Sequence, residues 1–238
     1  MNNQPALNSI TNRDVAAIYR SSIIAIFVLV VAGVLFNETD LNTLISSQFA
    51  DGVNGFPFRT HWLVKGVLHD AAAKLSGILA TLLIAFNLHQ LFKPTTSWRT
   101  IISARYIMWS WLSTTLIIGY LKSITKLPCP WNILQFGGQN EYLSLLNTFS
   151  SQYSVGHCFP SAHATGGYGL IGLVFVVLLY GRPLRFGLFP ALFVGALYGA
   201  AQMVRGAHFL SHDLFSIALC LGSALFWARF YLYPRVLA

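Results

Sequence analysis

A small set of histidines and cations carries the chemistry open to this chain. Lys122 and Lys126 stand four residues apart, Pro160-Ser161-Ala162-His163 opens an apolar stretch, and Arg205-Gly206-Ala207-His208 leads on to His212 and Asp213. Lysine and arginine at these places would neutralise the oxygens of a phosphoryl group. Ser161 sits where an N-cap belongs, and a helix N-terminus turns free N–H groups and a partial positive charge toward an anion. Two histidines then supply a nucleophile and an acid for the leaving oxygen. Phosphoryl transfer needs little beyond that positioning and charge. A zinc site competes with this reading, because His208 and His212 have i, i+4 spacing and Asp213 or His163 could complete it. The intervening Phe209-Leu210-Ser211 lacks the Glu of a zinc hydrolase helix, and the neighbouring cations would repel a divalent ion. The expected site therefore uses no metal and no cofactor.

Such groups need elements to hold them, and the composition says which kind. With 55% hydrophobic and 9% charged residues over 238 positions, the chain is too apolar for a soluble domain, where about a quarter of residues are charged. Its formal charge of +8 is spread over single Lys and Arg residues, so a nucleic-acid partner is not expected. The partners implied are a lipid bilayer and a membrane lipid substrate. A spanning helix needs about 20 mostly apolar residues, and six stretches qualify or come close: 21–36, 75–92, 100–121, 162–180, 186–204 and 209–232. Arg13 and Arg20 ahead of the first stretch resemble a signal peptide, but the later apolar runs favour a first spanning helix. Two long loops, 37–74 and 122–161, lie on one side. Within the first, His61–Lys74 has helical apolar spacing suited to an interfacial helix, with His61, His69 and Asp70 on a solvated face.

The expectation is a single all-α membrane domain over residues 1–238, a six-helix bundle with its site at the outer-face helix ends. Arg13, Arg20, Lys93, Arg99, Arg105, Arg182, Arg185, Arg229 and Arg235 collect on the side of the termini. Arg59, Lys65, Lys74, Lys122, Lys126 and Arg205 are on the other side. By the positive-inside rule the termini are cytoplasmic and the long loops face outward. The expected location is a bacterial cytoplasmic (inner) membrane, with the site facing the periplasm. His163, His208 and His212 fall at outer helix ends beside Lys122, Lys126 and Arg205. Any one of these histidines alone reads as a polar group satisfying a helix end; together with the cations they read as a site.

The order of these pieces resembles the type 2 phosphatidic acid phosphatase family, a membrane branch of the superfamily that also holds vanadium haloperoxidases. That family has six spanning helices and three outer-face motifs: Lys, six residues, Arg-Pro; Pro-Ser-Gly-His; and Ser-Arg, five residues, His, three residues, Asp. Here the first reads Lys122-Ser-Ile-Thr-Lys126-Leu-Pro-Cys129-Pro130. The second reads Pro160-Ser161-Ala162-His163, and the third Ala201-Gln202-Met-Val-Arg205-Gly-Ala-His208-Phe-Leu-Ser-His212. The resemblance implies that His208 forms a phosphohistidine and His163 protonates the leaving group. Lys122, Ser161 and Ala162 would hold phosphate oxygens.

Three positions depart from the pattern. Cys129 and Gln202 stand where the family has arginine, and His212 where it has the aspartate that orients the nucleophile. Lys126 and Arg205 are local substitutes for the lost cations, and Arg205 offers the better oxygen clamp because its fork is bidentate. A neutral His212 can accept the His208 N–H and hold its tautomer, with Asp213 as the alternative relay. Cys129 and Cys158 share the second outer loop and could pair in an oxidising compartment; the alternative is that they stay free. The function implied is removal of phosphate from a lipid phosphate or pyrophosphate, of the phosphatidate, polyprenyl or lipid A class. A lipid-to-lipid phosphotransferase would use the same residues. A protein that binds lipid phosphate without turnover, or an anion transporter, is the non-enzymatic alternative.

Overall fold

The computed structural model describes residues 12–148 and 156–233. Among these, α1 is Asn12–Glu38, α2 Leu41–Ser47, α3 Ala72–Phe92 and α4 Trp98–Ile124; α5 is Thr165–Tyr168, α6 Leu173–Leu179, α7 Arg185–Val204 and α8 Leu210–Tyr231. A π-helical segment, Trp62–Ala71, runs directly into α3. Strands are missing among the described residues, so the chain is all-helical there. Five helices are long and apolar enough to cross a membrane: Arg13–Glu38, Trp62–Phe92, Trp98–Ile124, Arg185–Val204 and Leu210–Tyr231. Their outward faces carry Phe27, Leu82, Leu116 and Phe193, all well exposed, as lipid-facing side chains must be. These features are those of a multi-pass membrane protein.

Two expectations about elements need correction. The stretch 162–180, fourth of the six expected spans, is a shorter apolar helix, Thr165–Leu179, tightened to a 3-10 turn at Gly169–Gly172. Gly166, Gly167, Gly169 and Gly172 lower helix propensity there, and 15 helical residues reach only about 22 Å against a hydrocarbon core of about 30 Å. The segment expected as outer loop up to residue 74 is instead helical from Trp62. Trp62–Ala71 extends α3 rather than standing as a separate interfacial helix.

Packing centres on α8, which lies chiefly against α1 and α4, while α5 lies against α7. Tyr106, Tyr168, Phe175, Ala191, Cys220 and Ala224 are buried together in the core. Small residues let the backbones close up, the usual membrane solution. A Cβ on Gly167 would lie 2.3 Å from the Gly195 nitrogen, so α5 and α7 touch backbone to backbone. Buried polar groups tie the outer loops to the start of α8. Asn42 Nδ2 donates to Ser211 Oγ at 2.8 Å and Tyr142 donates to the Asn37 carbonyl at 2.6 Å. A small aromatic cluster of Phe56, Phe136 and Phe209 with Ile133 seals that end.

Candidate active site

Each site residue is placed by a helix end or a turn just beyond one. α4 ends at Ile124 because Thr125 turns extended, its hydroxyl donating to the Leu121 and Phe159 carbonyls. Lys122 therefore sits in the last turn, where its Nζ donates to the His157 carbonyl at 3.0 Å. His157 Nδ1 returns a bond to the Lys122 carbonyl at 2.6 Å. Lys126 lies past the helix end, so the four-residue spacing does not put the two lysines on one helical face. The Lys126 amide is held by Thr148 Oγ1, and its side chain does not line the cavity described below.

Ser161 is not an N-cap, and the following helix opens at Thr165 rather than at Ala162. The Ser161 backbone is instead bound to α8: its N–H donates to the His212 carbonyl at 3.3 Å, and its carbonyl accepts from Ser216 at 2.9 Å. With its main chain committed there, Ser161 cannot start a helix. Its hydroxyl is fully buried beside the Asp213 carboxylate and does not line the cavity described below. His163 follows in the turn before α5. Its Nε2 lies 2.7 Å from the Leu68 carbonyl, which can only accept, so that nitrogen carries the proton.

The chain leaves α7 at Val204 and turns at Gly206, whose φ of 71° suits glycine. Arg205, only 6% exposed, donates from Nε to the Arg59 carbonyl and from NH1 to Gln202 Oε1, each at 3.1 Å. Gln202 Nε2 is left buried with no partner among the described residues. His208 precedes α8 rather than riding on it, because the helix begins at Leu210 with Phe209 extended as its N-cap. The i, i+4 helical register expected for His208 and His212 is thus absent, yet the extended step brings the rings together. Their Nδ1 atoms are 3.3 Å apart. Asp213 is directed elsewhere, with its carboxylate against α7 at Gly199, where a Cβ would come within 1.8 Å of Oδ2.

These groups line one cavity of about 540 Å³. Lys122, Ala162, His163, Gln202, Arg205 and His208 face it, together with Cys129, Cys158 and Trp131. Cys129 and Cys158 are joined as a disulfide, with Cα atoms 5.3 Å apart. Burial, reinforced by Lys122 and His212, holds the His208 imidazole well below the ordinary histidine range. Burial lowers His163 as well, with the Leu68 carbonyl opposing, and desolvation lowers Arg205. A buried imidazole held neutral in this way keeps a ring lone pair at neutral pH without prior deprotonation.

One residue of the cavity was read from sequence as solvated. His69 lines the same space, its ring centre 4.7 Å from that of His163. The apolar periodicity of 61–74 implied a loop helix lying away from the site, and a π-helical register shifts which side chains face inward. The signal available in sequence was the His69-Asp70 pair on a segment otherwise fit to enter the bilayer.

The chain belongs to the PAP2 superfamily, whose model matches residues 103–235. No curated protein and no solved structure matches the chain. That membership supports phosphoester hydrolysis at the level of the family. The matched region contains Lys122, His163 and His208 but stops short of His69.

Proposed function

We propose that this chain is a membrane phosphatase that removes phosphate from a lipid phosphate or pyrophosphate through a phosphohistidine on His208. The observation that carries the reading is the single cavity lined by His208, His163, Lys122, Arg205 and Gln202. His208 donates its Nδ1–H to His212, which leaves Nε2 free to attack phosphorus. Lys122, Arg205 and the unpartnered Gln202 Nε2 hold the phosphoryl oxygens, with Ala162 beside them, while the buried Ser161 lies behind the cavity lining. As the P–O bond breaks, His163 in its imidazolium form gives the Nδ1 proton to the leaving oxygen while Nε2–H stays on the Leu68 carbonyl, and water then cleaves the P–N bond. Lys126 lends charge at longer range and has no place in the oxygen clamp. His212 serves as the orienting group and Asp213 does not, in keeping with their positions around His208.

An oxidising compartment suits the Cys129–Cys158 disulfide, which supports a site on the face of the membrane away from the cytoplasm, in the periplasm of a bacterium. Lipid substrates would enter between helices, with the bilayer as the protein's surroundings. A second reading, binding of lipid phosphate with little turnover, is motivated by His212: a neutral imidazole stabilises a developing imidazolium less than a carboxylate does. Release of inorganic phosphate from short-chain lipid phosphates by the purified protein decides between them. Turnover lost in His208→Ala is expected. Vanadate-sensitive binding without release would favour the second reading, and turnover that survives His208→Ala would sink the phosphohistidine.

A further inference from the structure

We propose that His69, held by Asp70, is a catalytic base of this cavity and activates the water that cleaves the phosphohistidine. The inference rests on the phosphatase reading above and adds a residue outside all three motifs and outside the family match. Three consecutive residues of the π-helical segment surround the acid. The Leu68 carbonyl accepts from His163 Nε2 at 2.7 Å, the His69 ring lies 4.7 Å from the His163 ring at 33°, and Asp70 Oδ1 is 2.7 Å from His69 Nδ1. Lys65 Nζ braces the other Asp70 oxygen at 3.3 Å. The segment packs on α7, which also carries Tyr198 against His163, ring centres 5.1 Å apart.

Tautomers follow from the partners. A carboxylate accepts, so His69 Nδ1 carries the proton, and the lone pair of the neutral ring is on Nε2. That is the carboxylate–imidazole arrangement by which a histidine works as general base. His163 has its Nε2–H spent on Leu68, so it acts as the acid only as the imidazolium, through Nδ1–H. The two adjacent imidazoles are therefore not equivalent, and one cavity holds an acid and a separate base.

Their closeness is what the second step requires. In-line displacement puts the leaving oxygen opposite His208, and the attacking water must later enter from that same side. A base for that water must therefore lie next to the leaving-group acid, which is where His69 lies. In this step a water O–H bond breaks and its proton goes to His69 Nε2, with Asp70 stabilising the imidazolium. The new O–P bond forms as the P–N bond breaks, and the electron pair returns to His208 Nε2. The proton on His69 replaces, by way of solvent, the one His163 gave to the leaving group.

The test uses the detergent-solubilised full chain with 4-nitrophenyl phosphate, following nitrophenolate in the pre-steady state and inorganic phosphate at steady state. His69→Gln is expected to keep the first-turnover burst while phosphate release falls on the order of 10²-fold, with phosphate accumulating on the protein. Asp70→Asn, a change at a positioning residue, is expected to produce the same split more weakly; it also serves if His69→Gln loses its fold by thermal melting. A burst and steady state that fall together, or a steady state that stays at wild-type level, would overturn the role of His69 while leaving the phosphatase reading intact. A wild-type chain that releases neither product would overturn both.

Discussion

At the residue scale the site is a set of imidazoles whose partners differ. His208 has His212 at its Nδ1, His163 has the Leu68 carbonyl at its Nε2, and His69 has Asp70 at its Nδ1. Replacing His212 with Ala is expected to lower kcat on the order of 10²-fold with KM little changed, because orientation of the nucleophile matters to the transition state and not to binding. Steady-state kinetics on one lipid phosphate measure that split. Burial depresses both His208 and His163, and the sign of the pH effect follows. The acid must be protonated, so kcat/KM should fall as pH rises through a value below the ordinary histidine pKa of about 6.5. His208 is already neutral over that range and does not oppose the trend. Stability moves the other way: below about 6.5 the unfolded chain takes up protons that these buried rings refuse, so the melting temperature should drop as pH falls. A pH series of both quantities checks the pair of trends. The sequence displayed these histidines and the replaced motif positions plainly. It hid the partners, since an N–H to a carbonyl from residue 68 depends on packing between distant segments.

At the element scale, helix ends place the chemistry, and ends are what periodicity reads worst. The apolar stretches located α1, α4, α7 and α8 to within a few residues, apart from the start of α1. Thr125 and Ser161 ended or delayed helices through bonds to other elements, which local pattern cannot carry. The same limit hid the π-helical segment, and with it His69. Two predictions belong here. Gly167→Ala forces a Cβ onto the α7 backbone, with no side chain able to give way, and should destabilise by about 1–3 kcal/mol, as overpacking does; thermal melting in detergent measures it. The Cys129–Cys158 bridge spans 29 positions, for which loop-closure entropy suggests about 3–4 kcal/mol. Cys158→Ser should therefore lower the melting temperature and loosen the Lys122–His157 clasp one residue away, seen as a raised KM. Unchanged melting under reductant would contradict that role.

At the scale of the whole molecule, the described residues form five membrane-capable helices and one shorter apolar helix, and the cavity is lined from the Trp62–Phe92 segment, α4, α5, the end of α7 and the loops between them. All-helical membrane architecture was legible in composition alone, because nothing but helices or closed barrels satisfies backbone groups in lipid. The shortened helix of the second motif was not, since its glycines serve close contact with α3, α4 and α7 as much as they weaken the helix. The proposed orientation, with the termini in the cytoplasm, predicts that a fluorescent protein fused at the C-terminus glows and that an exported alkaline phosphatase fused there stays inactive. The reverse pattern would invert the orientation and put the disulfide in a reducing compartment. The central claim is that phosphate passes through His208, and peptide mass spectrometry after an alkaline quench during turnover tests it most directly. Phosphate on the peptide carrying His208, enriched in His69→Gln and lost in His208→Ala, is the predicted result. Continued phosphate release with no modification at His208 in any variant would contradict it.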